Sequence, residues 1–166
     1  MAPTVSRCYR RSLQLARVAA DDFQRQNVTF AMHLGDIVDF EQHTAAPKYG
    51  GVQRALAIGM DQAVAAFGRF TAGTTYHVLG NHCLFCYSRE HLKERLGMTG
   101  PGDRCYYSFV PHPRLRMIVL DTFDVSVIGN AYDGAEHLEA VALLDQHKVR
   151  HHPVLVSTAS SLHVCL

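Results

Sequence analysis

Two short segments carry side chains suited to chemistry at phosphorus: Gly35-Asp36-Ile37-Val38-Asp39 and Gly80-Asn81-His82. Each directly follows a short apolar run, so a buried strand would fix its polar side chains, and each opens on a glycine that lets the backbone turn tightly. A carboxylate such as Asp36 can bridge divalent cations, the Asn81 amide oxygen is a hard neutral donor, and the His82 imidazole can protonate a departing oxygen. Taken singly, a Gly-Asp after a strand reads as an ordinary turn. In this order, roughly forty residues apart, the two segments form a more specific pattern and point to phosphoryl chemistry.

The elements that hold these segments follow from periodicity. Over residues 6–26, Tyr9, Leu13, Ala16, Val18 and Phe23 recur at roughly helical spacing, with Ser6 as a candidate N-cap. Residues 28–34 are β-branched and aromatic and run straight into Gly35-Asp36, as a buried strand ending in a polar turn would. The unit then recurs: a helix over 52–70, with Leu56, Met60, Ala63 and Phe67 on one face, leads to a strand over 74–79. A short helix is expected over 88–96. Gly100-Pro101-Gly102 breaks the chain before a hairpin of 106–110 and 115–120 around Pro111-His112-Pro113. Helix returns over 134–147 and strand over 153–157. Such alternation predicts an α/β layered fold with its chemistry on loops at the carboxyl ends of the strands.

Composition narrows the function classes. With 166 residues and 48% apolar side chains, the chain reads as one domain spanning 1–166 with a sizeable core. Sixteen basic against fifteen acidic residues create no long-range field for a polyanion, which excludes nucleic acid as the main partner. The sequence holds no run of 18 apolar residues, and residues 1–11 are basic without an apolar secretion core, so a membrane partner is excluded and a cytoplasmic location expected. Cys8, Cys83, Cys86, Cys105 and Cys165 are odd in number and irregularly spread, which favours reduced thiols over a disulfide scaffold.

The Gly-Asp-x-x-Asp and Gly-Asn-His segments resemble the second and third signature motifs of the calcineurin-like metallophosphoesterases. Tyr9-Arg10-Arg11-Ser12-Leu13, Ser88-Arg89 and the stretch Leu120-Asp121-Thr122-Phe123-Asp124-Val125-Ser126-Val127-Ile128-Gly129 look like the manganese-dependent ADP-ribose/CDP-alcohol diphosphatase branch, and the likeness covers residues 6–157. It implies a layered β-sandwich flanked by helices and a hydrolase acting on a small-molecule nucleotide diphosphate. It also implies a site of two divalent metal ions, manganese favoured and magnesium, iron or zinc as alternatives. By the same resemblance Asp36 bridges the metals, Asn81 binds one of them, and His82 stabilises or protonates the departing phosphate oxygen. Asp39 supports the loop, and Phe85 and Tyr87 could stack on a nucleobase, with plain packing as the competing reading.

The sequence also departs from that family. An Asp-x-His or Asp-x-Gln strand is expected before Tyr9, but none of the eight preceding residues is Asp, Glu or His. A fourth-motif histidine should follow residues 154–157, where Thr158 stands, and a fifth motif, Gly-His-x-His, would fall beyond Leu166. The fold is thus expected to be incomplete, lacking the opening strand and the C-terminal part, as in the middle of a truncated enzyme. Weak metal binding and doubtful catalysis follow. A vacant slot beside Val28, Phe30, Met32, Val78 and Leu79 should leave apolar surface for self-association. The alternative is a non-catalytic fragment that binds a nucleotide or a partner protein. Cys83 replaces the acid that usually follows the third-motif histidine, removing an expected partner of His82.

Cys83 and Cys86 form a Cys-x-x-Cys without a second pair at zinc-ribbon spacing, so buried thiols outweigh a zinc site. His33 and His77 sit inside apolar strands and read as core histidines. His151 and His152 read as loop residues, and His163 does not align with the fourth motif. Asp121 and Asp124 end a strand and hold a turn in the simplest reading.

Overall fold

A computed structural model describes residues 9–39, 50–128 and 130–148 of the chain. The first helix, α1 (Tyr9–Arg25), ends as Asn27 enters the left-handed region at φ 52° and the Val28 amide bonds back to Phe23 O at 3.2 Å. Asparagine tolerates that conformation at a helix end, and the turn aims the chain into β1 (Phe30–His33). Helix α2 (Val52–Phe67) then leads to β2 (Thr74–His77), giving the expected repeat of helix and strand. The turn before β2 is pinned by one side chain: Gln24 Oε1 accepts the Thr71 amide at 2.7 Å and the Ala72 amide at 2.9 Å.

Strands β1 and β2 pair in parallel, from Phe30 opposite Thr74 to His33 opposite His77. Period-two alternation sends Phe30 and Tyr76 to one face and His33 and His77 to the other. The first face meets a hairpin, β3 (Tyr107–His112) and β4 (Leu115–Val119), through Phe109, which stacks on Tyr76 and packs edge-on against Phe30. Phe67 of α2 lies on the second face, its ring centroid 4.8 Å from that of His33 and 5.7 Å from that of His77. Helix α2, the parallel pair and the hairpin therefore form three layers. Helix α1 packs on α2, where Arg69 holds Asp21 through two 2.6 Å bonds.

Two short helices follow β2. The first, α3 (Asn81–Cys86), occupies what the sequence suggested was a simple turn; the second, α4 (Arg89–Arg95), opens as expected on Ser88, whose hydroxyl accepts the His91 amide at 3.2 Å. That cap satisfies one of the donors orphaned at a helix start. Pro111 lies in β3, and the hairpin register breaks between Phe109 and His112, as expected for a residue without an N–H. The final helix, α5 (Ala135–Lys148), matches the 134–147 reading, whereas the expected strand over 153–157 lies outside the described residues.

The core gathers Val38, Met60, Leu79, Cys83, Leu84 and Leu92 with neighbouring apolar residues. Fully buried side chains such as Leu92 contribute about 1.5–3 kcal/mol each. This core lies directly beneath the loops after β1 and β2, because Val38 and Cys83 belong to both. The slot expected beside Leu79 does not expose it: Leu79 is buried in this cluster, and Phe30 and Met32 are half-buried. No helix among the described residues is long and apolar enough to cross a membrane.

Candidate active site

Because β1 and β2 run parallel, their carboxyl ends deliver residues 34–39 and 78–82 to the same edge of the sheet. The two turns touch through glycines. A Cβ on Gly80 would lie 2.0 Å from Asp36 Oδ1 and 2.4 Å from the Asp36 amide, and one on Gly35 would lie 2.8 Å from Gly80 N. Gly35 also has φ +99°. Any side chain at either position would separate the two backbones, so both glycines serve the close approach.

Asp36 itself adopts φ 52°, and its Oδ1 accepts the His82 amide at 3.0 Å. His82 lies in the first turn of α3, whose N-cap, Gly80, has no side chain to offer. A carboxylate 46 positions away thus does the capping. Local patterns could not reveal this helix, because its cap is supplied by another part of the chain.

A second contact joins His82 Nδ1 to Asp39 Oδ1 at 2.9 Å, with the two side chains 28% and 14% exposed. A proton on Nδ1 donates to that carboxylate and leaves Nε2 to face away from it. The expectation that Cys83 leaves His82 without a carboxylate is therefore corrected: Asp39, read from sequence as a loop support, is the partner. Cys83 is 0% exposed, and its Sγ accepts the Ile37 amide at 3.2 Å. Burial raises the Cys83 thiol above its ordinary range, and burial together with Cys83, Asp39 and Asp36 pushes Cys86 up to about 11. Both thiols stay protonated at neutral pH, as ordinary buried thiols do.

Asn81 opens α3 immediately before His82. The Asp36 carboxylate and Asn81 amide are hard oxygen donors whose chemistry fits a divalent cation such as manganese or magnesium. Among the described residues, no three His, Cys, Asp or Glu side chains gather as a metal-binding group. Phe85, 50% exposed, sets its ring edge-on to His82 with centroids 5.9 Å apart. Tyr87 instead stacks on His91 at 4.7 Å and packs against the core.

Residues 121–128 are built differently. Arg89 pairs with Asp121, the side chains 12% and 0% exposed, and donates to Phe123 O at 2.6 Å; Arg104 pairs with Asp124. Ser88-Arg89 and the Asp-Thr-Phe-Asp segment stand apart in the sequence, and no periodicity signals that they bind each other. His77 is buried, as expected of a core histidine, but its Nδ1 has no hydrogen-bond partner among the described residues, and His33 is half-buried. Burial, reinforced for His33 by His77, lowers each to about 4, and His33 Nδ1 accepts the Gly35 amide at 3.3 Å. His151, His152 and His163 lie outside the described residues.

This architecture is the metallophosphoesterase type: the chain superposes on a dimetal phosphatase from Danio rerio with a TM-score of 0.69 and 29% identity, over 87% of this chain and 45% of that one. In sequence it is similar to proteins named manganese-dependent ADP-ribose/CDP-alcohol diphosphatase. It is 34% identical over 143 residues to that of Oryza sativa subsp. japonica, matching 86% of this chain and 41% of that protein. The Arabidopsis thaliana protein is 33% identical (86% and 43% covered) and the Homo sapiens protein 29% identical (87% and 44% covered). The chain thus spans less than half the length of these curated relatives. No family model matches it.

Proposed function

We propose that the chain carries part of a two-metal phosphohydrolase site acting on the diphosphate of a nucleotide conjugate, ADP-ribose or a CDP-alcohol. The observation that carries this reading is the Asp36, His82 and Asp39 corner, with 3.0 Å and 2.9 Å contacts at the joined ends of two parallel strands. Asp36 and Asn81 would hold divalent metal, manganese first, which when bound supplies Lewis acidity at the phosphoryl oxygens. Asp39 orients the His82 ring through Nδ1, so that Nε2 can give a proton to the departing phosphate oxygen. Phe85 offers an exposed aromatic face on which a nucleobase can stack. Cleavage of ADP-ribose by water would yield AMP and ribose 5-phosphate, and a CDP-alcohol would yield CMP and the phosphoalcohol. Free thiols at Cys83, Cys86 and Cys105 support a reducing, cytoplasmic setting.

With a carboxylate and an amide as its donors, the site binds metal weakly and turns over slowly. The test titrates the chain with manganese and follows AMP release from ADP-ribose. Weak binding that disappears in Asp36→Ala, with turnover at least about tenfold below a full-length relative, is the expected result. Manganese binding indifferent to both Asp36→Ala and Asn81→Ala would reject the ligand assignment.

A further inference from the structure

We propose that Cys83 is a positioning residue whose sulfur, by accepting the Ile37 amide, sets the left-handed turn at Asp36 and thereby the direction of the Asp36 carboxylate. The Ile37 amide belongs to the peptide immediately after Asp36, so its orientation and the Asp36 backbone angle are fixed together. Asp36 is one of two described non-glycine residues at positive φ; the other, Asn27, ends a helix, where that conformation is common. No such helix end favours it at Asp36, and aspartate enters this region only at a cost that surrounding contacts must offset. Two contacts do so from the same helix: the His82 amide on Asp36 Oδ1 at 3.0 Å, and Cys83 Sγ on the Ile37 amide at 3.2 Å. The first holds the carboxylate and the second holds the backbone that carries it. Because Cys83 is 0% exposed and part of the core, its sulfur cannot move aside, and the turn is registered against α3 rather than against solvent.

A carboxylate at this position would bring another negative charge beside Asp36. The neutral thiol fills the same place and accepts the same kind of donor without that repulsion. The consequence for metal binding rests on the reading of Asp36 as a ligand; the positioning of the turn does not.

The test uses the full 166-residue chain as wild type, Cys83→Ala, Cys83→Ser and, as a control for deleting a buried core thiol, Cys105→Ala. The first readout, without metal, is hydrogen exchange at the Ile37 amide. Cys83→Ala should accelerate it at least about tenfold, with Cys83→Ser recovering part of the protection and Cys105→Ala leaving it unchanged, as expected when one specific acceptor is removed. The second is manganese affinity, which should weaken about tenfold in Cys83→Ala, as removal of a residue that orients a ligand typically does, and recover in Cys83→Ser. If Cys83→Ala does not fold, protection in Cys83→Ser intermediate between wild type and full exposure supports the proposal. Unchanged Ile37 exchange in a folded Cys83→Ala overturns it, as does equal acceleration in Cys105→Ala or wild-type protection in Cys83→Ser. If the exchange pattern holds while wild type binds no manganese, the metal reading fails and the positioning role stands.

Discussion

Residues 36–39 and 121–124 share one spelling, Asp-x-x-Asp, and each follows a strand closely, yet they are put to opposite uses. Asp36 and Asp39 face neutral or titratable donors, a backbone amide and an imidazole. Asp121 and Asp124 face guanidinium groups that stay charged at any working pH. Asp36 therefore meets no fixed positive charge in that contact, whereas the second pair is already neutralised. What separates the two segments is the charge of the partner that each aspartate meets.

Acid should separate the two segments most severely. His33, whose Nδ1 accepts the Gly35 amide, and His77 are both lowered to about 4 in the folded chain from an ordinary 6.5. Between those values the unfolded chain binds more protons than the folded one, so stability is complete above pH 6.5 and falls as pH drops towards 4. The loss approaches on the order of 3 kcal/mol when the first of these neighbouring histidines takes up its proton, and the 35–39 turn should loosen with it. Denaturation midpoints measured from pH 7.5 downward check this; a flat profile to about pH 4.5 would contradict it.

Next in size is Arg89→Ala, which strands the fully buried Asp121 carboxylate and should cost about 3–5 kcal/mol in a urea titration. A loss under about 1 kcal/mol would show that water reaches Asp121 and that the two segments differ less than their partners suggest. Asp36→Ala comes third: it removes the cap of α3, costing about 0.5–2 kcal/mol, but should eliminate manganese binding, while Asp39→Ala weakens function less. Equal functional losses at Asp36 and Asp39 would contradict the division between ligand and orienting residue. Smallest is Arg104→Ala, whose side chain is 42% exposed; an effect of about 0–1 kcal/mol is expected, and a cost comparable with that of Arg89→Ala would place Asp124 with the buried pair.

The strands, the long helices and the hairpin were legible because each declares itself through a local period. Phe30 to His33 and Thr74 to His77 lie within the expected runs, and the short helix Arg89–Arg95 lies within the expected 88–96. Asp36, Asn81 and His82 were legible as candidates because each follows a strand and a glycine. Helix α3 was not, since Gly80 gives it no side-chain cap and Asp36 reaches it from another loop. For the same reason neither the Asp39 carboxylate on His82 nor Arg89 on Asp121 could be foreseen. Contacts between distant positions leave no periodic trace in the chain, and the site consists of such contacts.

Tyr107 gives the parallel pair a property beyond packing. Its hydroxyl donates to His77 O at 2.7 Å and accepts the His77 amide at 3.0 Å, so a single phenol occupies both backbone groups at this point of β2. Burial raises its pKa, which keeps the hydroxyl proton in place at neutral pH. A foreign strand approaching this margin finds its docking positions at His77 taken, and Tyr107→Phe, which preserves the ring, would vacate them. One oxygen atom thus closes both backbone valences of His77 at once.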